Sequence, residues 1–538
     1  MYALVFVNVA NAQRGSNDWM TTGSDAQRTS WVRNDPKISL ASMSKPGFEL
    51  AWKTKFENAP RQLNGIMQPS LLDFYIGYRG FRALGFFGAS SDRVIAMDTE
   101  LGRLEWESKF QQGTLGTGTL NCPGGMTTAV ARPTGTEYPP VPNGRGGGRG
   151  SPAKSAVGEP HEGAAILKVM AERAAAAAAA KPAPEPPKPA AAKPATAPAA
   201  NPFAPRVQTV MALTSDGKLH SMYLSNGNEP KPAMSFLPAN AHPQGLIAYS
   251  NTAYVTTTGH CGGADNGLWA MSLATGTVNH WKTSKDIAGS AGPAVGPDGT
   301  LYLAAGNEIV AIEHRKLEPL AIHTADSDFT STPVVFEYKG KDLLAVTSKD
   351  GTMHLLDTAQ LNRQLPYDKT RPFSTPGYDT GSITSWQDPA GTRWVLAAAG
   401  GIVASKLGFP VTNGDVKNGA IVAWKVEDEG GIPKLKPAWI SRDFTSPLPP
   451  IVVNGVVFAV SSGEYRSGDA KVTAAERVKR SHPAVLYAMD ALTGKELWNS
   501  GTQITSFVHS GGVAAGGSRV YVSTYDGMQY AFGFPIEH

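Results

Sequence analysis

Leu486-Tyr487-Ala488-Met489-Asp490-Ala491-Leu492-Thr493-Gly494-Lys495-Glu496-Leu497-Trp498 is the stretch on which the reading of the fold turns. Apolar residues alternate up to Asp490, as they do in a strand with one buried face. Asp490 and Thr493 cap a tight turn, and Gly494 supplies the positive φ that such a turn needs. A second short strand follows and ends in Trp498, a rigid side chain able to bury a large area against a neighbouring unit. The phrase recurs as Val94-Ile95-Ala96-Met97-Asp98 with Gly102-Arg103-Leu104-Glu105-Trp106. It recurs again as Leu268-Trp269-Ala270-Met271-Ser272-Leu273-Ala274-Thr275-Gly276, ending at Trp281.

Weaker copies fill the intervals. Asp216 to Met222 leads to Phe236, Asn307 to Ile312 to Ala321, Asp350 to Asp357 to about Phe373, and Ile421 to Trp424 to Trp439. Pairs such as Gly299 to Leu303 or Gly455 to Val460 supply the inner strands. The C-terminal run Arg519 to Phe532 has no closing aromatic strand, whereas Phe48-Glu49-Leu50-Ala51-Trp52-Lys53 is a closing strand with nothing before it. Joined, they make one unit and lock a ring. Outer strands near 52, 106, 236, 281, 321, 373, 439 and 498 then predict an all-β, eight-bladed β-propeller of four-stranded antiparallel blades.

The remaining composition bounds what surrounds this ring. Gly (58) and Pro (40) are abundant, and 49 Lys+Arg against 45 Asp+Glu leave a net charge of only +4. That balance is too even to imply nucleic-acid binding. The apolar run Tyr2 to Ala10, with Ala10-Asn11-Ala12 before Gln13, has the form of a residual signal peptide over 1–12, although a basic leading region is missing. A buried N-terminal strand is the other reading. Export to the periplasm or medium is the expectation, and no apolar run is long enough for a transmembrane helix. Residues 13–134 and 206–538 form the single propeller. Residues 135–205 are Gly/Arg-rich, then Ala-rich, then a Lys-Pro-Ala tract; such a stretch buries no core and is expected to be a disordered insertion within the third blade.

The repeat Ala-x-Asp-x-x-Thr-Gly-Lys-x-x-Trp resembles the tryptophan-docking motif of the quinoprotein alcohol dehydrogenases. The opening Asn17-Asp18-Trp19-Met20-Thr21-Thr22-Gly23-Ser24-Asp25, with Arg28 after it, is similar to their N-terminal segment. The resemblance implies pyrroloquinoline quinone and Ca²⁺ near the central axis. Ala325-Asp326-Ser327-Asp328-Phe329-Thr330-Ser331-Thr332-Pro333 resembles the stretch that carries the catalytic base, which would be Asp326, with Asp328 beside it. Lys349-Asp350-Gly351 resembles the family's quinone-contacting Lys-Asn-Gly, and Gly306-Asn307 the Gly-Asn whose amide ligates Ca²⁺. Each of these is also an ordinary turn or capping sequence.

Other positions depart from the family. Its vicinal cysteine pair should fall near Asn121-Cys122-Pro123-Gly124-Gly125, where one Cys stands. Its Ca²⁺-ligating Glu should fall near Gly259-His260-Cys261, where Cys261 takes the place of a hard carboxylate. Nor does Asn64-Gly65-Ile66-Met67-Gln68-Pro69 supply the Glu of the family's first full blade. In this register both cysteine loops lie at one end of the ring, so Cys122 and Cys261 either bridge the funnel, the preferred reading, or remain separate buried thiols. His260 beside Cys261 is a loop histidine or half of a soft copper or zinc site. No C-x-x-C-H occurs, so haem is not covalently attached through that motif.

Two functions stay open at this point. One is a non-catalytic propeller, without cofactor, that binds a protein or polymer at its rim or funnel, as the outer-membrane assembly lipoprotein propellers of this fold family imply. The other is a quinone- and Ca²⁺-dependent dehydrogenase of alcohols or polyols, polyvinyl-alcohol-type substrates included. Asp326 would be its general base, and it would need a separate electron acceptor.

Overall fold

The computed structural model describes residues 18–535 apart from 78–79, 114–117, 139–207, 364, 404–406, 470 and 510. The expected signal segment at 1–12 and nearly all of the expected insertion lie outside the described residues. The described chain is the eight-bladed propeller, its blades mostly four-stranded and antiparallel. Blade 1 pairs Glu49–Lys55 with Met528–Gly533, then Arg519–Ser523 and Val513–Gly516, so the ring closes through strands from both ends of the chain. Blade 2 runs from Ser70–Gly77 to Arg103–Lys109, and blade 4 from Pro243–Tyr249 to Val278–Lys282. Blade 3 is Thr209–Leu213, Lys218–Tyr223 and Met234–Ser235, its inner position filled by Ala131 bridged to Met211. Blades 5, 6, 7 and 8 begin at Ala294–Val295, Val334–Tyr338, Thr384–Gln387 and Ile451–Val453.

The docking tryptophans explain the repeat physically. The Trp52 indole N–H donates to Thr99 O of blade 2 (2.8 Å), Trp106 to Leu224 O of blade 3 (2.8 Å), and Trp439 to Ala491 O of blade 8 (3.0 Å). Each ring lies flat against the turn glycine of the next blade. A Cβ on Gly102, Gly227 or Gly494 would come within 2.7, 2.5 or 2.4 Å of that indole. These glycines also hold φ of 66°, 72° and 69°. One residue type thus meets two demands, a left-handed turn and a flat docking platform. Gly494→Ala should therefore lower stability by about 2 kcal/mol or more through overpacking plus backbone strain. A urea midpoint equal to the parent's would contradict it.

Blade 6 departs from the expectation in detail. Its outer strand is only Asp368–Lys369, and Phe373 lies beyond it. The Thr-Gly turn is missing here, and the single-turn helix Thr358–Gln360 lengthens the path to the outer edge. Phe373 instead donates its amide to Gly351 O (2.8 Å) and meets Trp424 edge-on at 4.7 Å.

Residues 19–35 make one circuit of the axis, touching every blade in turn. Trp19 pairs with Leu71 of blade 2, and Met20 O accepts from Arg132 N beside blade 3. Thr21 Oγ1 donates to Leu246 O of blade 4. Ala26, Gln27, Thr29 and Ser30 carbonyls accept from Val295, Val335, Ser385 and Val452, in blades 5 to 8. Asp35 accepts from Ser518 of blade 1 (3.0 Å). So tight a curve requires left-handed backbone, and Gly23, Ser24, Arg28 and Ser30 have φ of 75°, 77°, 65° and 52°.

Candidate functional site

Two adjoining cavities lie at the entrances to the inner strands. The inner one, of about 320 Å³, has Thr22, Gly23 and Ser30 of the axial segment along one side. Leu120 and Pro123 border it elsewhere. The second, of about 530 Å³, is lined by Lys285, Asp286, Asn307, Asp328 and Lys349, among others. Gln244, Ser290 and Asp379 border both. A concave, half-apolar axial space with a few convergent polar groups is where a propeller of this kind would hold a ligand.

Three of the residues singled out from the sequence meet in the second cavity: Asn307, Asp328 and Lys349. Asp326 does not. It is exposed at the turn after the outer strand Pro319–Thr324 and lines neither cavity. The chain there travels inward from the outer edge of blade 5 and reaches the axial space two residues later, at Asp328. Lys349-Asp350-Gly351 is the hairpin turn between Lys341–Thr347 and Met353–Asp357. Asp350 caps it by accepting from Ser348 Oγ (2.6 Å) and Thr352 Oγ1 (2.8 Å) and pairs with Lys369 (2.9 Å). The Ser348 and Thr352 hydroxyls with Lys369 outweigh burial and hold the Asp350 carboxyl far below its usual range.

Asn307 occupies the turn between Leu301–Ala305 and Glu308–Ile312, and its amide is engaged at both its nitrogen and its oxygen. Nδ2 donates to Ala325 O (2.8 Å) and Oδ1 accepts from Lys285 Nζ (2.8 Å). The same ammonium pairs with Glu308 Oε1 at 2.8 Å. The Lys285 stem lies over Gly306, where a Cβ would meet Lys285 Cδ at 3.0 Å. The oxygen expected to ligate Ca²⁺ is thus already turned to a fixed positive charge. Among the described residues no group of three or more His, Cys, Asp or Glu side chains is placed to hold a metal ion. The residues present therefore do not fit the Ca²⁺ that the fold family implies, nor the quinone in its Ca²⁺-bound form.

Cys122 and Cys261 form a disulfide, with Cα atoms 5.5 Å apart. It ties the loop of residues 118–124 to the turn after Thr252–Thr257 at the mouth of the inner cavity. His242 Nδ1 donates to Asn121 O (2.7 Å), and burial lowers its pKa. With Cys261 in the bridge, no thiolate remains beside His260 for copper or zinc, and the His260 side chain is exposed.

The sequence reading missed two further groups on the axis. One is Lys285. The other is Glu464, 1% exposed, which receives His509 Nδ1 (3.0 Å) and Arg466 Nε (3.3 Å). Burial alone would raise the Glu464 carboxyl, but His509 and Arg466 together pull it down to about 2. His509 and Arg466 both line the inner cavity. No motif signals this cluster, because His509 lies 45 residues from Glu464 in sequence and reaches it only through the fold.

A closed ring of eight blades, docking tryptophans laid on turn glycines and an axial cavity at the strand entrances together define an eight-bladed propeller with a central binding space. The fold is similar to that of the quinohemoprotein alcohol dehydrogenase from Comamonas testosteroni, with 14% identity and a TM-score of 0.51 over 98% of this chain and 83% of that one. It is also similar to the quinohemoprotein alcohol dehydrogenase ADHIIG from Pseudomonas putida HK5, with 12% identity and a TM-score of 0.52 over 97% and 82%. BamB from Moraxella catarrhalis matches at 11% identity with a TM-score of 0.43, over 91% of this chain and 99% of that one. At such identities the likeness is one of fold. No protein-family model and no curated protein matches the chain.

Proposed function

We propose that this chain is an exported binding propeller, periplasmic or secreted, that engages a protein or polymer at its rim or funnel and performs no quinone-dependent oxidation. The observation that carries this reading is the position of Asp326. A general base must come within hydrogen-bond reach of the proton it removes. Asp326 is exposed and lines neither cavity, so a hydroxyl held on the axis would lie out of reach of the residue that matches the family's base. The engaged amide of Asn307 supports the same reading. The disulfide and the closed ring are consistent with a durable scaffold in an oxidising compartment.

The test is reconstitution with pyrroloquinoline quinone and Ca²⁺, followed by dye-linked oxidation of a panel of alcohols and polyols. Neither quinone binding nor turnover is expected. Asp326→Ala should change unfolding free energy by less than about 0.5 kcal/mol, as for other exposed positions. Turnover, above all turnover abolished by Asp326→Ala, would reinstate the dehydrogenase and end this proposal.

A further inference from the structure

We infer that Lys285 is the resident cation of the axial site: its ammonium stands where the fold family's divalent ion would lie, and it makes the site independent of metal. The inference shares with the proposed function the view that no Ca²⁺ is held here, but it assigns a specific side chain to the position. It stands or falls on cation binding rather than on turnover.

Three observations converge on this lysine. Its Nζ lies 2.8 Å from Asn307 Oδ1 and 2.8 Å from Glu308 Oε1, one neutral and one anionic oxygen of the kind a hard cation collects. Its stem lies against Gly306, a glycine at φ 53° where an added Cβ would come 3.0 Å from Lys285 Cδ. The neighbouring backbone is also fixed, because Lys285 O accepts from Asn266 Nδ2 (3.1 Å) and Lys285 N donates to Thr283 Oγ1 (3.2 Å). A tethered ammonium at this spot neutralises Glu308, satisfies Asn307 and needs no free ion from solution. Three groups facing it from the packed elements are accounted for. Asp286 accepts through Oδ1 from Asn266 Nδ2 (2.9 Å), Thr258 Oγ1 (3.2 Å) and Gly259 N (3.3 Å). Asp328 and Lys349 lie across the same cavity and carry opposite charges. A divalent ion would meet Lys285 at bonding distance from its own ligands, and the repulsion would exclude it.

The experiment uses the full chain and Ca²⁺ alone as the probe, followed by calorimetric titration and thermal unfolding. The parent protein should show no saturable Ca²⁺ binding, and its Tm should be the same in millimolar Ca²⁺ and in chelator. Lys285→Met strips Asn307 and Glu308 of their partner without removing the stem. Its Tm should fall by about 2 °C or more, and Ca²⁺ should restore part of the loss in a saturable way. Adding Asn307→Ala to Lys285→Met should abolish the rescue while the protein stays folded by circular dichroism. Saturable Ca²⁺ binding to the parent would overturn the inference. So would a Lys285→Met protein as stable as the parent and indifferent to Ca²⁺. Either outcome is readable whether or not the quinone assay shows turnover.

Discussion

Arg28→Met should destabilise this propeller by about 4 kcal/mol or more and release the axial segment from the ring. The Arg28 side chain is fully buried, and four of its five N–H donors point at fixed acceptors. Nε donates to Pro293 O (2.9 Å), Nη1 to Thr21 Oγ1 (3.0 Å) and Thr22 O (2.7 Å), and Nη2 to Gly245 O (3.1 Å). Pro293 and Gly245 belong to the entrances of blades 5 and 4, so one planar fork pins two blades and the turn of the segment together. Burial lowers its pKa against the opposing pull of Asp25. Met fills much of the volume but removes the donors of Pro293 O and Gly245 O, which are buried, and of Thr22 O at the cavity edge. Arg28→Lys keeps the charge, yet one ammonium cannot span four acceptors set for a fork, so it should recover less than half of the loss. The decisive measurement is amide hydrogen exchange together with a urea midpoint. Val295, Val335, Ser385 and Val452, whose amides are held by the segment, should lose protection ahead of the blade cores. A midpoint within about 1 kcal/mol of the parent's would refute the assignment.

The ring was readable from the sequence because its signals are local and repeated. Trp106 and Trp498 each stand four residues after a turn glycine, Gly102 and Gly494, and the unmatched halves at Trp52 and Phe532 reveal the closure. Where the local signal fades, so does the reading. The outer strand of blade 6 has no Thr-Gly turn, and Phe373, the conspicuous aromatic, lies four residues past the strand's last residue, Lys369. The axial site was readable only as far as turn identity goes. Asn307 and Lys349 are turn residues at their positions, but what fills Asn307's oxygen is Lys285, 22 residues earlier in another turn. Asp326 and Asp328 are a chemically equivalent pair in one-dimensional terms. Which of them reaches the axis depends on how far the chain has travelled inward, and a shift of two residues decides it. The circuit of residues 19–35 has no period at all, since most of it is held by backbone groups that any residue could provide.

Breaking the Cys122–Cys261 bridge should have the next largest effect, because the two cysteines are 139 residues apart. In the chain-entropy description, a cross-link closing a loop of that length removes about 5 kcal/mol of freedom from the unfolded chain. Residual order in the unfolded state and relaxation of the folded loops reduce what is measured, so a loss of about 3–4 kcal/mol is expected in Cys122→Ser. The loop of residues 118–124 should feel it first. Apart from the bridge it is held by few contacts: His242 Nδ1 to Asn121 O (2.7 Å), Gln62 Nε2 to Gly118 O (3.1 Å) and Asn64 Nδ2 to Gly124 O (3.1 Å). Intact mass after alkylation should show no added label without reductant and two labels with it. Cys122→Ser, Cys261→Ser and the double variant should then be equally stable within about 0.5 kcal/mol, since each alone already removes the bond. Separate contributions that add would mean that the thiols act by packing rather than by the cross-link. In that case the funnel loop would owe its position to His242 and Asn64, and reduction would leave the mouth of the cavity unchanged.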